Sequence, residues 1–339
     1  MPVFNCAKYL SSSIRSILRQ TFRDFQLVII DDGSEDGGQD IIRGFQDPRI
    51  QLIQNQSNLG VAATLNKGLA LSESEYIVRM DADDISKNNR LTCQLEAMEK
   101  DAGLDICGSW VKMITDNERS QVIRYPTKSS AIKPYILFNN PLAHPAVILR
   151  KSSLDRHDLR YDERIGAGQD YEFWSRCSDS CCIRNIPEVL LYWHRHSQGV
   201  TNRESGKSNN TAMSVQKREL IKLGITCDAR RLKEHRKIGQ CYNTQSIEQL
   251  EDALIWLNRI IIANNLRKQY DEKSLLQIIA MIWLQLCANS SANSIAVIRK
   301  YLSAPFYSFY TPRVAEVSLF FFRSFTTLFQ SSRLPSMKL

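Results

Sequence analysis

Short apolar runs alternate with helical patterns along roughly the first 200 residues. Apolar residues repeat every three or four positions in stretches such as Leu10–Leu18 and Ala62–Ala70, which predicts amphipathic helices. Between these stretches lie runs rich in Val and Ile that are predicted to be strands: Phe25–Ile30, Ile50–Ile53, Tyr76–Met80 and Leu104–Cys107. This alternation is typical of an α/β fold with a mostly parallel sheet flanked by helices.

The pattern changes at about Ser205, where helical periodicity begins to dominate. The predicted helices of this part are Ser214–Leu223, Ile247–Asn264, Ser274–Ala288 and Ala296–Leu302. The polar stretch Ser197–Asn210 is predicted to be a linker. We therefore expect two domains, an α/β domain over residues 1–202 and a helical extension over residues 203–339.

Charge is distributed unevenly over the two predicted domains. The chain has a formal net charge of +8, and residues 203–339 carry 20 basic and 10 acidic side chains against 24 and 26 in residues 1–202. A basic region favours an anionic partner, either nucleic acid or an anionic membrane surface. We expect peripheral contact with the inner face of the cell membrane rather than nucleic-acid binding.

Composition points to folding in the cytosol. No signal peptide pattern follows Met1, and the longest apolar stretches are well short of the roughly 20 residues that span a bilayer. The nine cysteines are scattered and do not have the spacing of a disulfide framework.

Two clusters of carboxylates follow predicted strands. Asp31-Asp32-Gly33-Ser34 comes after the first and Asp81-Ala82-Asp83-Asp84 after the third. Ligands in open α/β sheets bind beyond the carboxyl ends of the strands, and clustered carboxylates are costly unless something positive binds them. Mg²⁺ or Mn²⁺ bridging a diphosphate is such a partner. The alternative for the first cluster is an ordinary turn.

Several motifs in order resemble the inverting family 2 glycosyltransferases of the GT-A fold. The resemblance covers about residues 1–202 and rests on both carboxylate clusters together with Gln20-Thr21-Phe22, Asn58-Leu59-Gly60, Arg90-Leu91 with Gln94, His144-Pro145, Gln169–Trp174, and Ile186–Tyr192 with His196. It implies an enzyme that transfers a sugar from a nucleotide-diphosphate-sugar to a hydroxyl acceptor with inversion.

The resemblance also implies roles for individual residues. Asp170 matches the general base that deprotonates the acceptor. The metal, Mn²⁺ or Mg²⁺, is expected on Asp83 and His196. The residues expected to contact the nucleotide-sugar are Asp31, Asp32, Gly60, Arg79, Asp81 and His196.

Simpler structural roles compete with these assignments. Asp170 opens a helical pattern, where an Asp is often only a cap. Arg79 and Arg90 can steady phosphates, but arginines near acidic loops usually pair with those carboxylates. We expect Asp84 to hydrogen-bond its turn or to cap a helix beginning near Ser86, and His144 to be a packing residue.

The beginning of the chain departs from the family pattern. Family members begin with an apolar strand, whereas here Met1-Pro2-Val3-Phe4 leads directly into a helical pattern. We therefore expect the first strand to be missing and to lie in sequence upstream of Met1. This departure keeps open a catalytically inactive, membrane-associated partner of a polysaccharide assembly complex. A haloacid dehalogenase phosphatase and a sugar-nucleotide pyrophosphorylase fit the motifs less well.

The resemblance further implies a role in bacterial surface polysaccharides, such as capsule, exopolysaccharide or O-antigen. The acceptor would then be a glycan or a lipid-linked glycan. On a helical wheel Val314, Val317, Phe321, Phe325 and Leu328 share one face. This segment is predicted either to lie on the membrane surface or to pack on the core.

Overall fold

The computed structural model describes residues 1–115, 120–195, 204–292, 294–313 and 316. The chain forms two compact units. The sheet unit comprises Met1–Ile132 and Asn140–Ala212, and the helical unit comprises Lys133–Asn139 and Met213–Leu339. The predicted boundary after residue 202 lies outside the described residues and stays a prediction.

The first sheet of the sheet unit is parallel throughout. Its strand order is β1-β2-β3, with β1 at Pro2–Val3, β2 at Leu27–Asp31 and β3 at Ile50–Gln54. The helices that follow these strands are α1 at Ala7–Leu18, α2 at Gly38–Arg43 and α3 at Val61–Leu71.

The expected absence of the first strand is corrected by this sheet. Pro2 and Val3 pair in parallel with Ile30 and Asp31, and the backbone N–H groups of Ile30 and Asp32 donate to Met1 and Val3. The two residues before the helical pattern were too few to be recognised as a strand in the sequence. They nevertheless cover the edge of β2 next to the first carboxylate cluster.

The second sheet is mixed, which corrects the expectation of a mostly parallel sheet for this part. Its strands are β4 at Tyr76–Val78, β5 at Ile85–Ser86, β6 at Ile106–Ile114, β7 at Gln121–Ile123, β8 at Ile148–Arg150 and β9 at Ile183–His194. Their order is β4-β8-β6-β9-β5, with β7 paired to β6. Among the described strands of this second sheet, β6 and β9 pair in parallel and the other pairs are antiparallel.

Helices accompany this second sheet. They are α4 at Arg90–Lys100, α5 at Ser129–Ile136, α6 at Lys151–Arg156 and α7 at Gln169–Ser180. The helix expected near Ser86 begins instead at Arg90, because Ile85 and Ser86 form a strand that pairs with the end of β9. The apolar face of α1, at Leu10, Ile14 and Ile17, is buried as its periodicity predicted.

The remaining helices contribute to an apolar core in the helical unit. They are α8 at Ser205–Lys222, α9 at Ala229–Gly239, α10 at Ile247–Arg267, α11 at Glu272–Ala288 and α12 at Ser294–Ser303. Helix α8 belongs to this unit only from Met213 onward. The core contains Trp256, Trp283 and Phe306, all almost completely buried. Residues 205–210 are helical, so the predicted linker is wrong over that part. No described helix has the length and apolar character needed to cross a membrane.

Candidate functional site

Three carboxylates converge on the loop between β4 and β5. One oxygen each of Asp81, Asp83 and Asp84 lies within 4.8 Å of the others. The hydroxyl of Ser13 donates to the backbone carbonyl of Asp81 at 3.1 Å, which fixes this loop to α1. The second predicted carboxylate cluster is therefore a real spatial cluster, held by the helix that follows the first strand.

Arg79 provides the positive charge beside this cluster. Its side chain is almost completely buried and forms an ion pair with Asp81, with 2.5 Å between Nη2 and Oδ1. Burial raises the pKa of Asp81, the Arg79 charge opposes that rise, and Asp83 adds to it. The simpler role predicted for Arg79, an ion pair with a neighbouring carboxylate, is therefore present. This pairing also places the guanidinium beside the carboxylate cluster.

Asp84 is the most deeply buried member of the cluster. Its Oδ1 accepts a hydrogen bond from the backbone N–H of His194 at 2.9 Å, which ties the loop to the end of β9. Its Oδ2 is buried and has no hydrogen-bond partner within the described residues. Burial, followed by the charges of Asp81 and Asp83, raises the pKa of Asp84 well above its usual value.

This donor set fits a divalent cation. Mg²⁺ and Mn²⁺ prefer carboxylate oxygens, and an unpartnered buried carboxylate oxygen beside two others is costly without a cation or a proton. Sequence reasoning chose Asp83 as the ligand and gave Asp84 a structural role. The structure adds Asp84 to the residues that could bind the cation. In the sequence, the only indication of this role is that Asp84 directly follows Asp83. His196 lies outside the described residues.

Arg90 supports the site from within the core and, in the described part of the chain, forms no hydrogen bond or ion pair with the site's carboxylates. It is completely buried and donates to the side chains of Gln94 and Ser86 and to the backbone carbonyl of Arg79, the last at 2.7 Å. Burial lowers its pKa to about 9. Gln94 in turn donates to the carbonyls of Cys107 and Ala146. The hydrogen bonds of Arg90 and Gln94 therefore fix the backbone at Arg79, whose guanidinium pairs with Asp81.

The first carboxylate cluster organises a second loop. Asp32 accepts hydrogen bonds from Asn55 Nδ2 at 2.7 Å and from the backbone N–H groups of Leu59 and Gly60, both at 2.9 Å. Gly60 has a φ of +89°, a backbone conformation that favours glycine. Asp32 and Gly60 are thus brought together, and the Asp32 carboxylate is already engaged by the loop.

Asp31, the last residue of β2, directly precedes Asp32 in the turn Asp31–Ser34. It accepts from Gln39 Nε2 at 2.7 Å and more weakly from the backbone N–H of Ser34. Gly33 has a φ of +77°, and a Cβ there would lie 3.1 Å from the backbone nitrogen of Asn58. The turn therefore requires glycine for its conformation and for its close approach to the Asn58 loop.

Asp170 lies in the first turn of α7, two residues after Gly168. Its Oδ2 accepts a hydrogen bond from Asn140 Nδ2 at 2.6 Å. Burial raises its pKa, while the backbone N–H of Tyr171, the Asn140 amide and the Arg79 charge act in the opposite direction. A carboxylate with a raised pKa is a better proton acceptor near neutral pH than an ordinary one. The cap of α7 itself is Gly168.

Other polar residues near Asp170 are already committed to structure. Glu172, a second carboxylate in the first turn of α7, forms a bidentate ion pair with Arg176, with 2.8 Å between Oε2 and Nη2. His144 Nε2 is 2.9 Å from the Tyr161 hydroxyl, and burial lowers its pKa well below the usual value. His144 is therefore a buried packing residue, in agreement with the sequence prediction.

Comparison with known proteins identifies the family. Residues 1–158 match the family model described as Glycosyl transferase family 2. The chain is 30% identical over 221 residues to EpsE of Bacillus subtilis (strain 168), covering 63% of this chain and 78% of that relative. The chain belongs to glycosyl transferase family 2. The family resemblance drawn from the motifs is confirmed, and the protein is a nucleotide-sugar-dependent glycosyltransferase.

Two further similarities are informative. The chain is 29% identical over 203 residues to UDP-Gal:alpha-D-GlcNAc-diphosphoundecaprenol beta-1,3-galactosyltransferase of Escherichia coli, covering 58% of this chain and 72% of that protein. The crystal structure of S. aureus TarS 1-349 in complex with UDP-GlcNAc matches with a TM-score of 0.56 at 16% identity, covering 91% of this chain and 89% of that one. This likeness confirms the α/β fold of the GT-A type with a helical C-terminal region.

Proposed function

We propose that this glycosyltransferase transfers a sugar, with inversion, from a nucleotide-diphosphate-sugar to a hydroxyl of a lipid-linked glycan in the synthesis of a bacterial cell-surface polysaccharide. The observation that carries the proposal is the convergence of Asp81, Asp83 and Asp84 beside Arg79. The acceptor class is supported by the E. coli relative, whose name specifies an undecaprenyl-diphosphate-linked sugar as its acceptor. TarS, of the same fold, was crystallised with UDP-GlcNAc.

The carboxylate cluster is proposed to bind the cation that accompanies the donor diphosphate. A bound Mn²⁺ or Mg²⁺ supplies neutralisation of the charge that builds up on the departing nucleotide diphosphate. Asp83 and the unpartnered Oδ2 of Asp84 are the oxygens that fit such a cation, and Asp81 is the one already paired with Arg79. Asp31, Asp32 and Gly60 are proposed to form the nucleotide-binding side of the site, and His196 a further ligand.

Asp170 is proposed to take the proton from the acceptor hydroxyl. A general base on the face opposite the leaving group directs in-line displacement and therefore inverts the anomeric carbon. The Asn140 amide donates to Oδ2 of Asp170 and thereby helps to fix the orientation of this carboxylate. Glu172 is a poorer candidate because Arg176 donates to both of its carboxylate oxygens.

An inactive assembly partner is not favoured by the structure. That alternative rested on the expected loss of the first strand. Pro2–Val3 occupies that strand position beside β2. The carboxylate cluster and the partly buried Asp170 also retain the chemistry that an inactive protein does not require.

Donor binding tests the proposal directly. UDP-, GDP- and dTDP-sugars would be screened for thermal stabilisation of the chain with and without Mn²⁺, and a donor that binds is expected to raise the melting temperature. Asp83→Asn should weaken Mn²⁺-dependent donor binding by about tenfold or more, because the cation loses a charged ligand. Asp24→Asn, an exposed carboxylate away from the cluster, is the matched control.

Two results would count against the proposal in different ways. If no nucleotide-sugar stabilises the chain and none is turned over, the donor class is wrong. If donor binding by Asp83→Asn equals that of the parent at every Mn²⁺ concentration, the metal assignment is wrong while the donor class stands.

A further inference from the structure

Large aliphatic side chains are exposed on one face of α10. Ile255, Ile262 and Leu266 are 69%, 61% and 81% exposed. With Arg259 they are spaced by four, three and four residues, so all four lie on one stripe of the helix. The opposite face, at Leu257, Ile260 and Asn264, is buried in the helical unit. The exposed stripe therefore covers nothing within the described residues.

A second exposed stripe runs along α8 beside the first. Lys217 and Ile221 are exposed on α8, Ile221 to 54%. Gly224, just beyond this helix, meets the end of α10, since a Cβ there would lie 3.0 Å from the Nε and Nη2 atoms of Arg267. The backbone N–H of Gly224 donates to the carbonyl of Ile221 at 2.8 Å. The last turn of α8, with Ile221, therefore lies beside the last turn of α10, and the two exposed stripes meet there.

We call this area the basic–apolar surface and define it by its members. The apolar members are Ile221, Ile255, Ile262 and Leu266, and the basic members are Lys217, Arg259 and Arg267. Within the part of the chain that the structure describes, none of these three cations forms an ion pair. Nearby cations do find carboxylates, for example Arg231 with Asp252 and Lys268 with Glu272. The surface thus combines exposed aliphatic side chains with uncompensated positive charge.

We propose that the basic–apolar surface docks on an anionic lipid membrane. Lys and Arg reach phosphate headgroups while aliphatic side chains between them enter the boundary of the acyl chains, so one surface satisfies both groups. Nucleic acid would match the cations alone, because its phosphate backbone offers nothing to four exposed aliphatic residues. Protein hot spots favour Trp and Tyr together with Arg, and the exposed apolar members here are all aliphatic.

Vesicle flotation of the full chain tests the apolar part of the surface. The vesicles are phosphatidylcholine alone or phosphatidylcholine with a minority of phosphatidylglycerol. The parent chain should float with the anionic vesicles, and the double variant Ile262→Ser/Leu266→Ser should bind them at least about tenfold more weakly. The matched control is Ile295→Ser/Leu302→Ser, which removes two similarly exposed aliphatic residues from α12 and should bind like the parent.

A single charge variant tests the basic part. Arg259→Gln should weaken binding to anionic vesicles about fivefold, corresponding to the ~1 kcal/mol that one basic residue contributes near an anionic leaflet. Arg299→Gln, an exposed cation on α12, is the control and should have a smaller effect. Circular dichroism of each variant verifies that its helices are retained.

Three results would overturn the proposal. One is equal flotation by the parent and by Ile262→Ser/Leu266→Ser. Another is loss of binding in Phe321→Ser/Phe325→Ser alone, which would assign the anchor to the C-terminal segment. The third is a lipid-free dimer that Leu266→Ser dissociates, which would make the surface a contact between copies of the chain. No sugar transfer is measured, so failure here leaves the proposed enzyme activity standing.

Discussion

The two units bury different kinds of side chain. In the sheet unit six charged residues are buried among those described, namely Asp31, Asp32, Arg79, Asp84, Arg90 and Glu172. In the helical unit the corresponding residue is Glu219, and the interior is one apolar cluster around Trp256, Trp283 and Phe306. Because burying a charge costs desolvation free energy unless the charge is compensated, the described charges of the sheet unit impose a larger such cost than those of the helical unit.

How these buried charges are compensated separates structure from function. Glu219 has Lys222 at 3.0 Å and the Tyr270 hydroxyl at 3.0 Å, so its oxygens are satisfied within the helical unit. Asp84 has one oxygen satisfied by His194 and one with no partner in the described residues. We infer that substitutions in the polar interior of the sheet unit act mainly on catalysis, and those in the apolar core of the helical unit mainly on stability.

The largest expected effect is on catalysis in the sheet unit. Asp170→Asn should slow sugar transfer by about 10²–10⁴, the usual contribution of a general base, with donor affinity nearly unchanged. Transfer rate, donor affinity and melting temperature would be measured together. Asp179→Asn, an exposed carboxylate near the other end of α7, is the control. Transfer at the parent rate would reject Asp170 as the base and leave it as a residue of the helix terminus.

The pH dependence of transfer should report the same carboxylate. Burial raises the pKa of Asp170, so transfer should decline, as pH falls, at a higher pH than an ordinary aspartate would give. The sign follows because the protonated carboxyl cannot accept the acceptor's proton. Kinetics of the parent chain from neutral to acidic pH test this, with melting temperature followed to exclude unfolding. If the decline of the transfer rate at low pH is unchanged in Asp170→Asn, Asp170 is not the group that titrates, and the catalytic role given to the sheet unit loses this support.

In the helical unit we expect a loss of comparable size, but in the free energy of unfolding rather than in the activation free energy of sugar transfer. Trp283 is completely buried, lies edge-to-face with Phe306 at 6.4 Å and donates to the Tyr301 carbonyl. Trp283→Ala should destabilise the protein by about 3–5 kcal/mol through lost burial and the cavity left behind. Urea unfolding measures the loss, and Leu302→Ala, on an exposed site, is the control. A large loss of donor affinity in the folded variant would contradict the separation of roles.

Local patterns in the sequence account for most elements that were predicted. Strand β3 was predicted to begin at Ile50 and does so. The helix predicted over Ile247–Asn264 begins at Ile247 and ends three residues later than predicted, at Arg267. In both cases side chains within a few residues determine the element. The helical residues 205–210 were missed because their polar composition has no apolar stripe, and α9 was missed because Ala229–Gly239 is mostly charged.

Long-range partners explain what the sequence did not reveal. The parallel pairing of β6 with β9 joins Ile106 to Ile183, and no local pattern specifies that choice. The carboxylate cluster of Asp81, Asp83 and Asp84 was recognisable because its members are neighbours in the chain. The buried position of Arg90 depends on the carbonyl of Arg79 and the side chain of Gln94, which meet it only in the fold.

The smallest expected effect is at a helix cap in the helical unit. Asp228 precedes α9 and its Oδ1 accepts the backbone N–H of Arg231 at 2.7 Å, so its loss leaves one N–H of the first turn without that partner. Asp228→Ala should cost about 1 kcal/mol, whereas Asp228→Asn, which keeps an accepting oxygen, should cost clearly less. Urea midpoints of the two variants measured beside the parent resolve this difference. Donor affinity and transfer rate should not change in either variant. A change in transfer rate without a change in stability would mean that the helical unit contributes to catalysis, which would end the division of roles between the two units.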